Sequence, residues 1–179
     1  MKIQYGLKVT MLFAGLMIAV SAAAIESKVV QNVSPKNAID DAVVKFLGRQ
    51  RIAVLFAADT VETYKIDWRK RSDQKAKHIY GYPVISKGRN LEDLEIQIVW
   101  ALVAQGKSYD FIVSKRTRLR PDYMLRFIKN STVVDIVLDL QSNQWGFYFK
   151  DAPVREDITE NLASPVLMMI LRAVFGNSS

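Results

Sequence analysis

The chain has 179 residues, of which half are hydrophobic and 24% charged, and its formal net charge is +7 at pH 7. This balance is typical of one globular domain and excludes a disordered chain. Cysteine is absent, which excludes disulfides, thiolate metal sites, a cysteine nucleophile and lipid attachment through an N-terminal cysteine. The positive charge favours an anionic partner, with ordinary solubilising charge as the alternative.

The first segment has the three parts of a signal peptide. Lys2 and Lys8 precede an apolar run of twelve residues, Val9–Val20, and small residues follow up to Ala24. This order predicts a signal peptide over residues 1–24 that is cleaved after Ala24. Without the two lysines, the net charge of +7 falls to +5 for residues 25–179, since no acidic residue lies in the signal.

An uncleaved membrane anchor is the alternative. The uncharged stretch from Val9 to Ile25 has 17 residues, which is the lower limit for a helix that spans a bilayer. Cleavage predicts a periplasmic or secreted protein. Retention predicts an inner-membrane anchor, so that the protein contacts the membrane only through its N-terminus, with the domain outside the cytoplasm.

The first elements beyond the signal are a helix and two strands. Ser34 and Pro35 form a good helix start, with Gly48 placed to end the helix. The apolar run Ile52–Ala58 predicts a buried strand, and the alternation in Val61–Asp67 predicts a second one.

The next elements follow a polar, basic stretch that we expect to be an exposed loop. Tyr80–Ile85 predicts a short strand, which Pro83 restricts to an edge or an irregular place. Asn90–Gln105 is the clearest helix, because Asn90 can cap its start, its apolar residues recur at helical spacing and Gly106 can end it.

The C-terminal third predicts a meander and a last helix. Four strand candidates follow one another: Tyr109–Ser114, Tyr123–Ile128, Thr132–Leu140 and Gln144–Lys150. Their alternation of period two is typical of antiparallel pairing. Ser164 and Pro165 predict the start of an apolar helix that Gly176 ends. The order of elements predicts a single α+β domain over residues 25–179, with about three helices on a largely antiparallel sheet.

Few residues suggest catalysis. The single histidine, His78, cannot form a metal site without carboxylates at a suitable spacing. Asp135 and Asp139 would lie roughly 13 Å apart on one strand, too far for a glycosidase pair, and we expect them on its solvated face. No nucleophile elbow, P-loop or dinucleotide-binding glycine motif occurs. We therefore expect no metal, no cofactor and no catalytic residue.

Two basic segments are candidates for binding an anion or a partner. One contains Trp68, Arg69, Lys70 and Arg71; the other contains Arg116, Arg118 and Arg120 and precedes Tyr123. If the segments face each other, they form a cationic surface with two aromatic rings for stacking, which would suit phosphate or acidic ligands. Two solvated loops with partly paired arginines are the alternative.

Three segments carry a resemblance to a known group of proteins. They are Gly81–Val84, Arg120–Phe127 (RPDYMLRF) and Val133–Leu140 (VVDIVLDL), with a helix between the first two. The pattern resembles that of a group of small, uncharacterised, often exported bacterial proteins, and it covers residues 80–175. Members of that group often carry cysteines at the end of the third segment, where this chain has Leu140, Gln141 and Ser142. The resemblance implies no activity that can be transferred.

These observations predict a non-enzymatic, exported bacterial binding domain with a basic surface. Its partner would be a protein or an anionic component of the envelope, and nucleic acid is not expected. The alternative is an enzyme of hydrolase-like chemistry that uses carboxylates or His78.

Overall fold

Seven strands form one antiparallel sheet in the order β2-β3-β1-β4-β5-β6-β7. The computed structural model describes residues 39–70, 76–112, 118–150, 152–158 and 163–176, all within a compact unit that spans Ala38–Ser179. The strands are β1 (Thr60–Ile66), β2 (His78–Ile79), β3 (Tyr82–Lys87), β4 (Tyr123–Lys129), β5 (Thr132–Asp139), β6 (Gln144–Tyr148) and β7 (Val154–Asp157).

Four α-helices occur among the described residues. They are α1 (Asp41–Leu47), α2 (Arg49–Leu55), α3 (Asp93–Ala104) and α4 (Ala163–Phe175), and short 3₁₀ turns cover Trp68–Lys70 and Gly106–Ser108. The predicted fold class, an α+β domain with a largely antiparallel sheet, is confirmed. None of these helices is long and apolar enough to cross a bilayer.

The helices cover one face of the sheet and form the larger core with it. Alternate strand residues, among them Phe127, Ile136 and Trp145, are fully or almost fully buried in one cluster with Leu47 of α1 and Leu167 of α4. Since successive side chains of a strand point to opposite faces, the residues between them lie on the other side of the sheet.

That other side carries a second, smaller core. Its buried members are Tyr64, Ile66, Ile79, Tyr82, Leu119, Met124 and Val137. The β2–β3 hairpin turns through Tyr80 and Gly81, with φ of 52° and 74°, and its Tyr80 ring stacks on Tyr148 of β6 with 4.2 Å between the ring centroids. Because β6 lies four places from β3 in the sheet, this contact requires the sheet to curl over the second core.

One predicted strand is wrong. Ile52–Ala58 was expected to be a buried strand, but Arg49–Leu55 is the helix α2, with Val54 and Leu55 buried. A short apolar run does not distinguish a buried strand from a buried helix. Gly48, with φ of 78°, ends α1 as predicted and also separates it from α2, so one expected helix is followed directly by a second.

Two other boundaries differ from the prediction. The helix expected to begin at Ser34 begins at Asp41, since Asp40 is not helical; Ser34 and Pro35 lie outside the described residues. The described part of the predicted strand Tyr109–Ser114 ends at Ile112, and within it Tyr109 alone makes a bridge, to Ile158. The hydroxyl of Tyr109 donates to Val103 O at 2.8 Å and holds the residue against α3.

The expectation that Asp135 and Asp139 lie on a solvated face is also wrong. Their exposed fractions are 0% and 1%. The face was expected to be solvated because only one core was foreseen, whereas the second core buries it. The expected signal peptide with its cleavage at Ala24 lies outside the described residues.

Candidate functional site

Three aspartates meet at one end of the sheet. Asp67 directly follows β1, Asp122 directly precedes β4, and Asp139 is the last residue of β5. Since β4 is antiparallel to both neighbours, the end of β1, the start of β4 and the end of β5 lie at the same edge. Backbone bonds tighten this edge: Ile66 N donates to Asp122 O, and Asp122 N donates to Leu138 O, both at 2.9 Å.

A cleft of about 340 Å³ opens at this edge beside α4. Its apolar lining consists of Ile66, Ile85, Tyr123, Leu140 and Met168. Its polar lining consists of Lys65, Asp67, Arg69, Lys70, Asp122 and Gln141. The volume is at the lower end of the range for small-molecule sites, roughly 300–1,000 Å³.

A β-bulge accounts for the position of Ile85. Lys65 of β1 pairs with Ser86 of β3, but the next residue, Ile66, pairs with Val84, so that Ile85 is an extra residue. A bulge breaks the alternation of side chains and redirects one of them. Ile85 is 45% exposed and lines the cleft, outside the second core to which Val84 belongs.

Arg69, two residues along the chain, compensates the negative charge of Asp67. Its carboxylate accepts hydrogen bonds from the Arg69 backbone N–H at 3.0 Å and from Arg69 Nε at 2.9 Å. The side-chain hydrogen bond from Arg69 lowers the pKa of Asp67, against the opposing effect of burial. Asp67 is therefore an ionised carboxylate with its charge compensated, and Arg69 supplies little net charge to the cleft.

Asp122 is a carboxyl group with a raised pKa. Burial, followed by the negative charge of Asp139, raises the pKa of Asp122 to about 6, and Asp67 adds to the effect. Arg69 and Lys65 act in the opposite direction but more weakly than burial. A carboxyl group of this pKa gains and loses its proton in the mildly acidic range.

Asp139 positions one of the basic segments. One of its oxygens accepts from Arg120 N at 2.8 Å, and the other accepts from Ser142 N at 3.0 Å. A buried carboxylate that accepts backbone N–H groups fixes their segments in place. The aspartate that was expected to face solvent thus ties the chain before β4 to the turn after β5.

The structure brings the two predicted basic segments together at one point. The Arg120 guanidinium lies over the Trp68 ring, 4.9 Å from its centroid, within the distance of a cation–π contact. Arg69, Lys70, Arg118 and Arg120 are exposed and Trp68 is half-buried. Arg71 and Arg116 lie outside the described residues.

Tyr123 lies at the cleft and packs inward. Its ring is 5.5 Å from that of Phe175 of α4, and it is half-buried. Burial raises the pKa of its hydroxyl, with Asp122 adding to the effect and Arg172 opposing it. Trp68 is therefore covered by Arg120 and Tyr123 is held against α4, so neither ring is a fully open stacking platform.

His78 lies elsewhere. It belongs to β2, where it pairs with Pro83, and it is absent from the cleft lining. Its Nε2 atom is buried and has no hydrogen-bond partner within the described residues. Across all the residues that the structure describes, no group of three histidine, aspartate or glutamate side chains is arranged to hold a metal ion.

Reasoning from the sequence missed the cleft and its main titratable group. Neither Asp122 nor Lys65 was among the candidate site residues. The available signal was the position of three aspartates at the ends of three strands that are neighbours in the antiparallel sheet. Recognising it required the strand order, in which β1 lies next to β4.

Comparisons with known proteins add no relative. No protein-family model, no curated protein and no solved structure matches the chain.

Proposed function

We propose that this protein is an exported, non-enzymatic binding domain whose ligand is an anionic envelope component with phosphate groups. The observation that supports it best is the contact of Arg120 with Trp68, because it joins the two basic segments into one surface. We define this cationic surface as Lys70, Arg118 and Arg120.

The chemistry of the surface suits phosphate. Two of its three members carry a guanidinium group, which can donate two parallel hydrogen bonds to a phosphate. Asp139 holds the backbone of Arg120, so part of the surface is ordered before a ligand binds, which reduces the entropy cost of binding. Arg69 contributes less, since Asp67 already compensates it.

The proposed location depends on the N-terminal segment. Two lysines, an apolar run and small residues before Ile25 support export. A periplasmic or secreted domain would meet lipid head groups and other phosphate-bearing polymers of the envelope. The alternative partner class is a protein.

Binding to vesicles tests the proposal. We expect the purified protein to sediment with vesicles of phosphatidylglycerol and phosphatidylcholine, but not with phosphatidylcholine alone, and to be released by salt. The double variant Arg118→Gln/Arg120→Gln should bind about tenfold or more weakly, since each basic residue at an anionic surface contributes about 1 kcal/mol.

A matched variant removes the same charge elsewhere. Lys45 and Arg49 are also exposed and lie on α1 and α2, so Lys45→Gln/Arg49→Gln changes the net charge equally. This control should bind nearly as well as the wild type. An equal loss of vesicle binding in both double variants would show that the protein binds through its general positive charge and not through the cationic surface. If soluble polyphosphate competes with the vesicles, the protein recognises phosphate groups rather than a bilayer. Absence of all binding would contradict the proposal.

A second candidate function is supported by the two carboxyl groups of the cleft. The pKa of Asp67 is lowered and that of Asp122 is raised to about 6, and such a divergence is typical of acid–base pairs in hydrolases. The alternative is thus a hydrolase in which Asp122 is the general acid or base. A panel of chromogenic esters and glycosides, assayed from pH 4 to 8, tests it: any activity should disappear in Asp122→Asn.

A further inference from the structure

The lining of the cleft combines two kinds of side chain. Ile66, Ile85, Leu140 and Met168 are apolar, whereas Lys65 and Lys70 carry amines. The bulge in β3 brings Ile85 to the cleft, where it remains 45% exposed although it is a large apolar residue. A cleft that combines exposed apolar side chains with cationic groups is suited to an amphiphile.

We propose that the cleft binds a single-chain amphiphile with one anionic head group, its apolar part against Ile85 and Leu140 and its head group towards Lys65 and Lys70. This rests on the proposed function, since it names the class of the anionic ligand. It adds a second location, next to the cationic surface, where the apolar part of that ligand lies.

The charges around the cleft favour an anion. Among the residues that line the cleft, Arg69 compensates Asp67, and Asp122 is the carboxyl group that opposes Lys65 and Lys70. The lining therefore carries one net positive charge when Asp122 is ionised and two when it is protonated. Asp139 lies outside the lining, but its negative charge acts on Asp122.

The surroundings of Asp122 give the binding a pH dependence. Lys65 of β1, Asp67 and Arg69 after β1, and Asp139 of β5 act on its carboxyl group, and α4 carries Arg172, which acts on the adjacent Tyr123. With a pKa of about 6, Asp122 is mostly ionised at pH 7.5 and mostly protonated at pH 5. Acid therefore removes a negative charge and creates a hydrogen-bond donor, and both changes favour an anionic head group.

Calorimetric titration with octyl sulfate below its micelle concentration tests the proposal. Its head group stays ionised from pH 5 to 7.5, so a pH effect comes from the protein. We expect the affinity to rise about tenfold from pH 7.5 to pH 5, the size allowed by a carboxyl group that titrates between them. Asp122→Asn should bind at pH 7.5 about as tightly as the wild type at pH 5, with little pH dependence.

Two isoleucines provide a matched control for the apolar lining of the cleft. Ile85→Ser removes an exposed side chain from the cleft, whereas Ile112→Ser removes one that is 95% exposed and absent from the cleft lining. We expect about a fivefold loss or more for the first, in keeping with the free energy of a partly buried apolar side chain, and none for the second. Octyltrimethylammonium and inorganic sulfate should bind much more weakly than octyl sulfate.

The outcomes separate this inference from the proposed function. Binding of octyl sulfate that survives Arg118→Gln/Arg120→Gln but weakens in Ile85→Ser supports the cleft even if vesicles do not bind. Vesicle binding without any binding of octyl sulfate overturns the cleft and leaves the cationic surface. Equal binding of the cationic and anionic amphiphiles, or equal effects of the two isoleucine variants, also overturns it.

Discussion

Arg126 of β4 and Asp135 of β5 form a two-pronged ion pair across neighbouring strands, with both nitrogen–oxygen distances at 2.9 Å. The two residues are directly opposite in the register. Asp135 is fully buried, while the side chain of Arg126 is 22% exposed. The pair lies on the face of the second core. Because Asp135 is buried there, water cannot replace Arg126 as its hydrogen-bond donor.

The first prediction concerns this pair. Asp135→Ala should lower the free energy of unfolding by about 3 kcal/mol, since it leaves a largely buried guanidinium without its partner. The double variant Arg126→Met/Asp135→Leu should lie within about 1 kcal/mol of the wild type, because an apolar pair of similar size can replace a buried ion pair. Urea denaturation measures both values; a double variant as unstable as the single one would contradict the argument.

The second prediction concerns Asp122 and pH. Its folded-state pKa of about 6 lies above the ordinary value of 3.8, so the folded protein holds this proton more tightly than the unfolded chain. The stabilisation is fully present below pH 3.8 and is lost as the pH rises through about 6. The free energy of unfolding of Asp122→Asn, relative to that of the wild type, should therefore rise by about 1–2 kcal/mol between pH 4 and pH 7.5, after discounting for partial exposure.

Thermal or chemical unfolding at both pH values measures this difference. Asp59→Asn is a suitable control, since Asp59 is exposed and its pKa is lowered by Lys129. The stability difference of that variant should move in the opposite direction or not at all. A pH-independent difference for Asp122→Asn would show that its carboxyl group titrates normally.

The third prediction concerns Asp139 and the order of the basic segment. Asp139→Ala removes the acceptor for the backbone N–H groups of Arg120 and Ser142, and the cost should be about 2–4 kcal/mol for two lost charge-assisted bonds. Hydrogen exchange should accelerate at these two amides more than at the strand amides of β4. Asp139→Asn, which keeps one acceptor oxygen, should have an intermediate effect; unchanged exchange in both variants would refute the positioning role.

The fourth prediction concerns the close approach of Gly88 to α4. A Cβ atom at this position would lie 2.5 Å from Thr63 Oγ1, 2.7 Å from Val174 Cγ1 and 2.9 Å from Phe175 Cε1. Gly88→Ala should therefore displace the side chain of Thr63 and the end of α4, and cost about 1–3 kcal/mol. Gly106→Ala is the control, because the three atoms nearest to its Cβ would all belong to the side chain of Asp40, which is exposed and can move. Equal stability of the two variants would contradict the close packing.

The fifth prediction concerns export. Expression of the full chain in a bacterial host should yield a protein in the periplasm or medium that begins at Ile25, as measured by N-terminal sequencing. Ala24→Leu should block cleavage, since signal peptidase requires a small residue there. A cytosolic protein that retains Met1 would contradict the proposed location.

Much of the fold is predictable from the sequence because the strands of the meander alternate. The predicted strands that begin at Tyr123, Thr132 and Gln144 match β4, β5 and β6 to within two residues at their ends. The helix α3 begins at Asp93, three residues after the expected cap, since Glu95 accepts from the Glu92 N–H at 2.9 Å and sets the start there. Local periodicity and capping residues determine the bounds of these three strands and of α3.

The cleft and the buried aspartates are not predictable in this way. Asp135 and Asp139 occupy alternate positions that the pattern assigns to solvent, and only the curl of the sheet and the second core bury them. The basic residues were recognised as a group, but the balance between Arg69 and Asp67 depends on a turn that composition does not reveal. The positions of the site residues depend on strand pairing between distant parts of the chain.

The stacking of Tyr80 on Tyr148 has a consequence for the order of folding. The four strands from β4 to β7 are joined by short connections and can pair as soon as that part of the chain collapses. β3 can pair with β1 without β6, but the tip of the β2–β3 hairpin can stack only after β6 is in place, since it rests on a ring 68 positions further along the chain. We therefore expect the tip of the hairpin to be the last part of the sheet to gain protection during refolding, and the first to lose it when the protein opens.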